Sequence, residues 1–216
     1  MFINRIDAGL QLAEKLSVYK NTDAVILAVP RGGVPIAYTI ALELNLLMDL
    51  ILTKKIGHPQ NKEYAIGCVS LDQVYINNMH KEISEAYLTA EIDKIKNELK
   101  EKYKKYTQHL DSIDYKNKIV IIVDDGMATG NTMIGTIDIV KLGEPKKIVI
   151  AIPVAPLEAI NRLKGMVDSL ICIDSPQNFI GVGQFYENFE QVSDQEVIQL
   201  LKKQAQKEAL KENALE

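Results

Sequence analysis

The chain lacks tryptophan, has only two cysteines, and carries no large excess of either charge over its 216 residues. Its 25 lysines and arginines face 29 aspartates and glutamates, and the resulting net charge of −4 excludes a strongly basic nucleic-acid-binding protein. Cys68 and Cys172 match no metal-binding spacing, so we interpret them as free thiols in a reducing compartment. No apolar run reaches the ~18 residues of a membrane span, and no apolar signal segment begins the chain. We therefore expect a cytoplasmic protein without membrane or nucleic-acid partners.

Almost uniformly apolar runs alternate with segments of helical periodicity along most of the chain. Strands are expected at residues 24–29, 50–52, 118–123, 148–152 and 169–173. Helices are expected between these strands, and the first helix precedes them with Ile6, Leu10, Ala13 and Leu16 on its apolar face. Buried strands that alternate with helices predict an α/β fold with a doubly wound, mainly parallel central sheet and helices on both faces. Ligands of such folds bind at the carboxyl ends of the strands.

The most informative segment runs from Ile119 to Thr132 and reads IVIIVDDGMATGNT. A buried strand is followed by Asp124 and Asp125, and then by a loop of small residues that opens a helix. Free N–H groups at the start of a helix, together with threonine hydroxyls, suit a phosphate monoester. Two adjacent carboxylates can accept hydrogen bonds from a vicinal diol such as that of ribose. The segment therefore predicts a ribose 5-phosphate site, against the alternative of an ordinary strand end with a helix cap.

Other phosphate motifs are missing, because no GxxxxGK precedes a serine or threonine and no GxGxxG follows a strand. The segment instead resembles the 5-phosphoribosyl 1-pyrophosphate (PRPP) motif of type I phosphoribosyltransferases. The resemblance implies that Asp124 and Asp125 bind the ribose hydroxyls and take part in catalysis. It also implies Mg²⁺ as cofactor, held mainly through PRPP, with the same two aspartates as further candidate ligands. The residues implied to bind the 5′-phosphate are Gly126, Met127, Ala128, Thr129, Gly130, Asn131 and Thr132.

Two more segments resemble the pyrophosphate-binding parts of this family. In the Pro-Arg-Gly-Gly loop, Gly32 and Gly33 can turn amide groups onto one anion, and Arg31 can grip it with its planar fork. The resemblance also implies a strained or cis peptide bond near Arg31 and Gly32. Lys54 and Lys55 follow the second strand, as a cationic pair does in some members, with lysine at position 54 where arginine is usual. Arg31 and Lys55 are thereby implied as catalytic cations that neutralise departing pyrophosphate.

The resemblance extends over most of the chain, whose residues 1–216 are expected to form a single domain. Its expected parts are a core at about 22–175, a lid at about 57–110, a hood at about 176–192 and a C-terminal helix at about 194–216. The lid contains two predicted strands, at 65–69 and 74–77, and a long predicted helix from about Glu82 to Tyr106. In the hood, Phe185 and Tyr186 either contact a planar acceptor or pack in a small core, and both interpretations stay open.

These patterns lead to two hypotheses about function. In the first, a Mg²⁺-dependent enzyme transfers the 5-phosphoribosyl group of PRPP to a small, nucleobase-like nitrogenous acceptor and releases pyrophosphate, acting as a homodimer. In the second, a non-catalytic regulatory protein uses the same pocket to bind PRPP or a nucleotide. Hydrolysis, with water as the acceptor, is a weaker third alternative. The matching branch of the family is mostly of unassigned substrate, so the acceptor stays open.

Overall fold

The computed structural model describes residues 1–77, 83–108 and 112–212. Its helices and strands are, in chain order, α1 (Arg5–Lys15), β1 (Val25–Ala28), α2 (Gly33–Leu44), β2 (Leu47–Leu50), β3 (Lys54–His58), β4 (Asn61–Val69), β5 (Val74–Ile76), α3 (Glu85–Thr107), β6 (Ile119–Val123), α4 (Asn131–Leu142), β7 (Lys147–Val154), α5 (Leu157–Lys164), β8 (Ser169–Asp174) and α6 (Asp194–Glu212). Short 3₁₀ turns lie at Ser17–Tyr19 and Val182–Phe185. No helix in the described ranges combines the length and the apolar character that crossing a membrane would need.

Five strands form a central sheet in the order β2-β1-β6-β7-β8, and every neighbouring pair is parallel. The three inner strands are buried on both faces, because α1, α2 and α6 pack on one face while α4 and α5 pack on the other. Burial on both faces explains why these strands are apolar without alternation. The predicted doubly wound α/β fold is confirmed.

The strand order reverses between β1 and β6, which are neighbours at the centre of the sheet. The chain runs from β1 through α2 to β2 on one side, and from β6 through α4 to β7 on the other. The two central strands end level with each other, since Ala28 is paired with Val123. A crevice at such a reversal, outside the carboxyl ends of the strands, is where open α/β sheets bind their ligands.

A separate three-stranded antiparallel sheet, β3-β4-β5, lies between α3 and α4, and we call it the flap. The sequence predicts a two-stranded hairpin here, and the structure adds β3 as a third strand. The flap packs closely on α4, because a Cβ on Gly135 would lie 3.0 Å from Cys68 Sγ. Tyr87 of α3 donates a hydrogen bond to the Gly57 carbonyl at 2.6 Å and anchors the other side.

The structure confirms half of the expected apolar face of α1 and corrects the other half: Ala13 and Leu16 are buried, whereas Ile6 and Leu10 are 58% and 43% exposed. The buried stripe also includes Ala8 and Leu12, because α1 approaches α2 so closely that small residues form the contact. A Cβ on Gly9 would lie only 2.7 Å from Thr39 Cβ. Hydrophobicity alone favoured the larger side chains of Ile6 and Leu10 and therefore misplaced this part of the face.

Other boundaries moved by a few residues. The second core strand is Leu47–Leu50 rather than residues 50–52, and Lys54 and Lys55 belong to the flap rather than to the end of that strand. The predicted long helix is confirmed as α3. Parts of three predictions, namely Glu82 in that helix, 78–82 and 109–110 in the lid, and 213–216 in the C-terminal helix, fall outside the described residues.

Candidate active site

Two loops lie side by side at the crevice between β1 and β6. The Val29 amide after β1 donates to the Val123 carbonyl at the end of β6, at 2.9 Å. The loop after β1 then passes directly over the acidic pair, since a Cβ on Gly32 would lie 1.9 Å from Asp125 Oδ2. A Cβ on Gly33 would lie 2.6 Å from the Val123 carbonyl oxygen. Only glycines permit this approach, and it brings Gly32 and Gly33 into contact with the segment that carries the aspartates.

Asp124 and Asp125 are half-buried at the carboxyl end of β6. Burial and the neighbouring Asp125 charge raise the pKa of Asp124 well above its ordinary value. Burial also raises the pKa of Asp125, although the Arg5 guanidinium opposes that rise. The Asp125 amide donates to Asp124 Oδ1 at 2.8 Å and orients that carboxylate. Two carboxylates held this close suit a ligand that brings hydrogen-bond donors or positive charge to them.

Arg5 and the side chain of Tyr186 in the hood hold Asp125 in place, and sequence reasoning gave Arg5 no role. The Arg5 Nε and Nη2 atoms both donate to Asp125 Oδ2, at 3.0 and 2.7 Å. From the hood, the Tyr186 hydroxyl donates to the Asp125 carbonyl at 2.7 Å. These residues lie 120 and 61 positions from Asp125 in the chain. No local pattern in the sequence therefore predicts these contacts.

The loop between β6 and α4 has the geometry of an anion site. Gly130 adopts a φ of 78° just before α4, a conformation that favours glycine, and the 12-residue helix then begins at Asn131. Thr129 and Thr132 are exposed beside this helix start, as are Ala128 and Asn131. The first amides of a helix and its dipole both favour an anion here.

Two residues predicted for the phosphate site have other contacts. The Met127 side chain is buried in the core, and its amide donates to the Val154 carbonyl at 3.0 Å. Gly126, with a φ of 153°, lies against Val182 of the hood, where a Cβ would come within 2.6 Å of Val182 Cγ1. These two residues shape the loop, while the exposed residues from Ala128 onwards lie where a phosphate could reach them.

Arg162 of α5 is a second arginine that sequence reasoning missed. Its Nη1 donates to the Thr129 carbonyl at 2.7 Å, and its Nη2 donates to Asn131 Oδ1 at 3.1 Å. The exposed guanidinium therefore adds positive charge to the rim of the phosphate loop and ties that loop to the next helix. An arginine on a short predicted helix is too common for the sequence to single it out.

The predicted pyrophosphate loop contains a cis peptide bond between Pro30 and Arg31, which confirms that expectation. Arg31 is about one-third exposed, and its Nη1 lies 3.5 Å from Asp194 Oδ1 at the start of α6. The Gly33 amide already donates to the Val29 carbonyl at 3.1 Å. Gly33 is thus needed for close packing, and Arg31, the cation of this loop, faces Asp194 at the start of α6.

Lys54 and Lys55 are adjacent in β3, so their side chains point to opposite faces of the flap. Lys54 forms an ion pair with Glu98 on the α3 side. Lys55 is paired in register with Cys68, the residue that packs against Gly135 of α4. Lys55 is therefore on the face of the flap that meets the helix carrying the phosphate loop, and Lys54 is on the other face.

The two aromatic residues proposed to contact an acceptor differ in their surroundings. Phe185 is half-buried and stacks on Phe179, with ring centroids 5.4 Å apart. Tyr186 is only 5% exposed, and its ring packs between Phe2 and Phe189. Of the two open interpretations, core packing describes Tyr186, while Phe185 keeps an accessible edge.

Comparison with known proteins identifies the family to which these features belong. The model of the phosphoribosyl transferase domain matches residues 3–190, which include both crevice loops, the flap and most of the hood. The chain belongs to the phosphoribosyl transferase family. The loops that follow β1 and β6 are thus part of a phosphoribosyl transferase domain.

Two relatives show how far the likeness extends. A Mycobacterium tuberculosis protein, found in strains H37Rv and CDC 1551 and provisionally named a phosphoribosyl transferase, is 34% identical over 205 residues. The match covers 93% of this chain but 46% of that protein, so the chain spans about half of the relative's length. The crystal structure of TT1426 from Thermus thermophilus is 33% identical, with a TM-score of 0.85, over 93% of this chain and 97% of that one. The phosphoribosyl transferase fold described above is therefore shared along nearly the whole chain.

Proposed function

We propose that the protein transfers the 5-phosphoribosyl group of PRPP to a small, nucleobase-like nitrogenous acceptor and releases pyrophosphate. One observation carries the proposal: the acidic pair lies between two loops suited to anions, at the point where the strand order reverses. PRPP has this arrangement of groups, a diol between a 5′-phosphate and a pyrophosphate. Family membership supports the same reaction class.

The roles of the residues follow from their positions. Asp124 and Asp125 accept hydrogen bonds from the ribose hydroxyls, and their negative charge favours the positive charge that develops at the anomeric carbon. The loop residues from Ala128 to Thr132, all exposed except Gly130, hold the 5′-phosphate at the start of α4. The bond from the anomeric carbon to the pyrophosphate oxygen breaks, and the electron pair leaves with pyrophosphate. A bond to the acceptor nitrogen forms, and that nitrogen loses its proton.

Arg31 and Lys55 are the cations that we assign to the leaving pyrophosphate. Arg31 is in the loop that passes over Asp125, and Lys55 is on the α4 side of the flap. Lys54 is a weaker candidate, because Glu98 holds it on the opposite face. Gly32 contributes through its missing side chain, which lets the loop approach the acidic pair.

The donor set suits a metal that arrives with the substrate. Across the described part of the chain, no three acidic, histidine or cysteine side chains converge as a metal cage. Asp124 and Asp125 could each add an oxygen, although Arg5 already engages one oxygen of Asp125. These residues fit a Mg²⁺ that draws most of its oxygens from PRPP, as Mg²⁺ commonly does with phosphate substrates. When bound, the ion would neutralise charge on the departing pyrophosphate.

A non-catalytic PRPP- or nucleotide-binding protein is the second candidate. Arg31 and the weaker candidate Lys54 are both engaged by carboxylates, Arg31 by Asp194 and Lys54 by Glu98. A protein that binds a nucleotide through its phosphate and ribose alone would not need these two side chains for a pyrophosphate group. Pyrophosphate release in a screen of nitrogenous acceptors separates the candidates, since a regulatory protein binds PRPP and releases none. Release with water as the only acceptor would indicate hydrolysis.

The first experiment measures the melting temperature with and without millimolar PRPP and Mg²⁺. A ligand at about 100 times its dissociation constant stabilises the native state by ~2.7 kcal/mol, which raises the melting temperature by several degrees. We expect this shift in the wild type and its loss in Asp124→Asn/Asp125→Asn. Asp23→Asn/Asp93→Asn, which makes the same charge change at exposed sites, is the matched control and should keep the shift. No shift in the wild type would contradict the proposal.

The partners of the enzyme stay predictions from the sequence. We propose a cytoplasmic homodimer whose ligands are PRPP and its acceptor, with no nucleic-acid or membrane partner. Light scattering of the purified chain would test the dimer by its mass.

A further inference from the structure

Arg5 enters the ribose site from the opposite end of the chain. It is the first residue of α1, and the Asn4 side chain caps that helix by accepting from the Ile6 and Asp7 amides. This cap sets the direction in which the Arg5 side chain leaves the helix. The guanidinium reaches Asp125 at the end of β6 through two hydrogen bonds to a single oxygen, Oδ2.

The arginine is held by more than its partner carboxylate. Its Nη1 donates to the Glu190 carbonyl at 2.7 Å, and its guanidinium lies 4.0 Å from the centre of the Phe189 ring. The side chain is only 12% exposed. An arginine with contacts on three sides stays in one orientation, in contrast to the mobile ion pairs of protein surfaces. Arg5 is therefore a fixed part of the site.

The contacts of Arg5 make the two oxygens of the Asp125 carboxylate unequal. Oδ2 receives both guanidinium donors and is the oxygen nearer to Gly32. Oδ1 receives neither guanidinium donor, so it is the oxygen that can accept from a ligand hydroxyl. The Tyr186 bond to the Asp125 carbonyl fixes the backbone beneath it. The direction of Oδ1 is thus set by residues outside the motif.

We infer that Arg5 is a positioning residue of the ribose site: by binding Oδ2 it aims Oδ1 of Asp125 at the sugar diol. The inference rests on the proposed function, because it assumes that Asp125 accepts from ribose. Arg5 does not touch the substrate. Arg5 therefore raises the affinity for the sugar and leaves the affinity for a phosphate at the start of α4 unchanged.

Calorimetric titration with ribose 5-phosphate and, separately, with inorganic phosphate tests this inference. Arg5→Met should weaken ribose 5-phosphate binding by about ten- to a hundredfold, the usual effect of losing a charge-assisted hydrogen bond. Binding of inorganic phosphate should stay within about twofold of wild type. Arg5→Lys keeps the charge but loses the planar fork, so its affinity for ribose 5-phosphate should lie between those of the wild type and Arg5→Met. If Arg5→Met does not fold, the affinities of Arg5→Lys for the two ligands test the inference instead.

Arg162→Met is the matched control, because it removes an arginine from the phosphate loop instead of the diol site. It should weaken both ligands by the same factor. In addition, Arg5→Met added to Asp125→Asn should cost no further affinity, since its target is already altered. Equal weakening of both ligands by Arg5→Met, or unchanged binding of ribose 5-phosphate, would overturn the inference and leave the proposed function standing. A wild type that binds neither ligand would overturn both.

Discussion

Gly32 shows how one missing side chain shapes the site. Its backbone has φ −60° and ψ −34°, a conformation open to any residue, so glycine is not required there for its flexibility. What requires glycine is contact, because the Asp125 carboxylate lies over its Cα. The loop proposed to bind pyrophosphate and the carboxylate proposed to bind ribose are thus packed against each other.

We predict that Gly32→Ala greatly weakens PRPP binding while leaving the fold intact. The added Cβ would lie 1.9 Å from Asp125 Oδ2 and 2.4 Å from its Cγ, so the carboxylate must move away from Arg5. The thermal shift with PRPP and Mg²⁺ should fall to near zero. Gly165→Ala is the control, since nothing lies within 4 Å of its added Cβ, and it should keep the shift. Normal PRPP binding by Gly32→Ala would contradict the prediction, because it would show that the Asp125 carboxylate can move without a loss of PRPP affinity.

At the scale of elements, Asp194 ties three parts of the fold together at the start of α6. Its carboxylate accepts from Lys105 Nζ at 2.7 Å and from the Tyr106 hydroxyl at 2.8 Å, both on α3. The same group lies 3.5 Å from Arg31 in the pyrophosphate loop. These contacts, with Lys105 first, lower the pKa of Asp194 from 3.8 to about 2.

Asp194→Asn should lower the melting temperature at neutral pH by about 1–3 °C, because a half-exposed ion pair contributes little. A carboxyl with a lowered native pKa stabilises the fold above its unfolded pKa and loses that effect as protons bind. The difference between wild type and variant should therefore be full above pH 3.8 and vanish as the pH falls towards about 2. Melting curves across this range measure it. A difference that does not change with pH would rule out the charge as its cause.

At the scale of the whole molecule, the two ends of the matched domain meet beside the active site. The Phe2 amide donates to the Phe185 carbonyl at 2.8 Å, and the Phe2 carbonyl accepts from the Glu187 amide at 2.9 Å. The Phe2 ring lies 5.3 Å from that of Tyr186, the residue that holds the Asp125 backbone. The N-terminal segment is thereby connected, through Tyr186, to the backbone of Asp125.

Phe2→Ala should cost about 3 kcal/mol of unfolding free energy, the lower end for a buried phenylalanine, because Phe2 is only 3% exposed. PRPP binding should weaken as well, since Tyr186 loses the ring against which it packs. Chemical denaturation and calorimetric titration measure the two effects. Val18→Ala, at a position 77% exposed, should change neither. If Phe2→Ala is destabilised but keeps the wild-type PRPP affinity, then the packing of Phe2 on the hood does not affect the proposed ribose site.

Much of the fold was predictable from the sequence, for reasons that particular elements make clear. The strands β1, β6 and β7 are buried on both faces, so their apolar runs were visible without any other information. The apolar face predicted for α1 was wrong at Ile6 and Leu10, because Ala8 and Gly9 make the contacts of this helix through their small size. The third flap strand was missed, because its two lysines look like the end of a core strand.

The candidate site was predictable where its residues are contiguous. Asp124 and Asp125 and the loop before α4 follow one another in the chain, so their order carries the pattern of the phosphate and diol site. The sequence could not predict that Lys54 and Lys55 lie on opposite faces of the flap, because it did not predict the strand β3. Successive side chains of a strand point to opposite faces, so two lysines that look equivalent in sequence are separated.

The sequence by itself determined the α/β architecture, the position of the acidic pair at a strand end, and the helix start beside it. Each depends on residues a few positions apart, whose spacing repeats the geometry of a strand or a helix. Only the tertiary structure decided which charges meet there. Arg5 reaches Asp125 across 120 positions, and Arg31 meets Asp194 at the start of the C-terminal helix. Contacts between distant segments depend on how the elements pack, and no local periodicity records that packing.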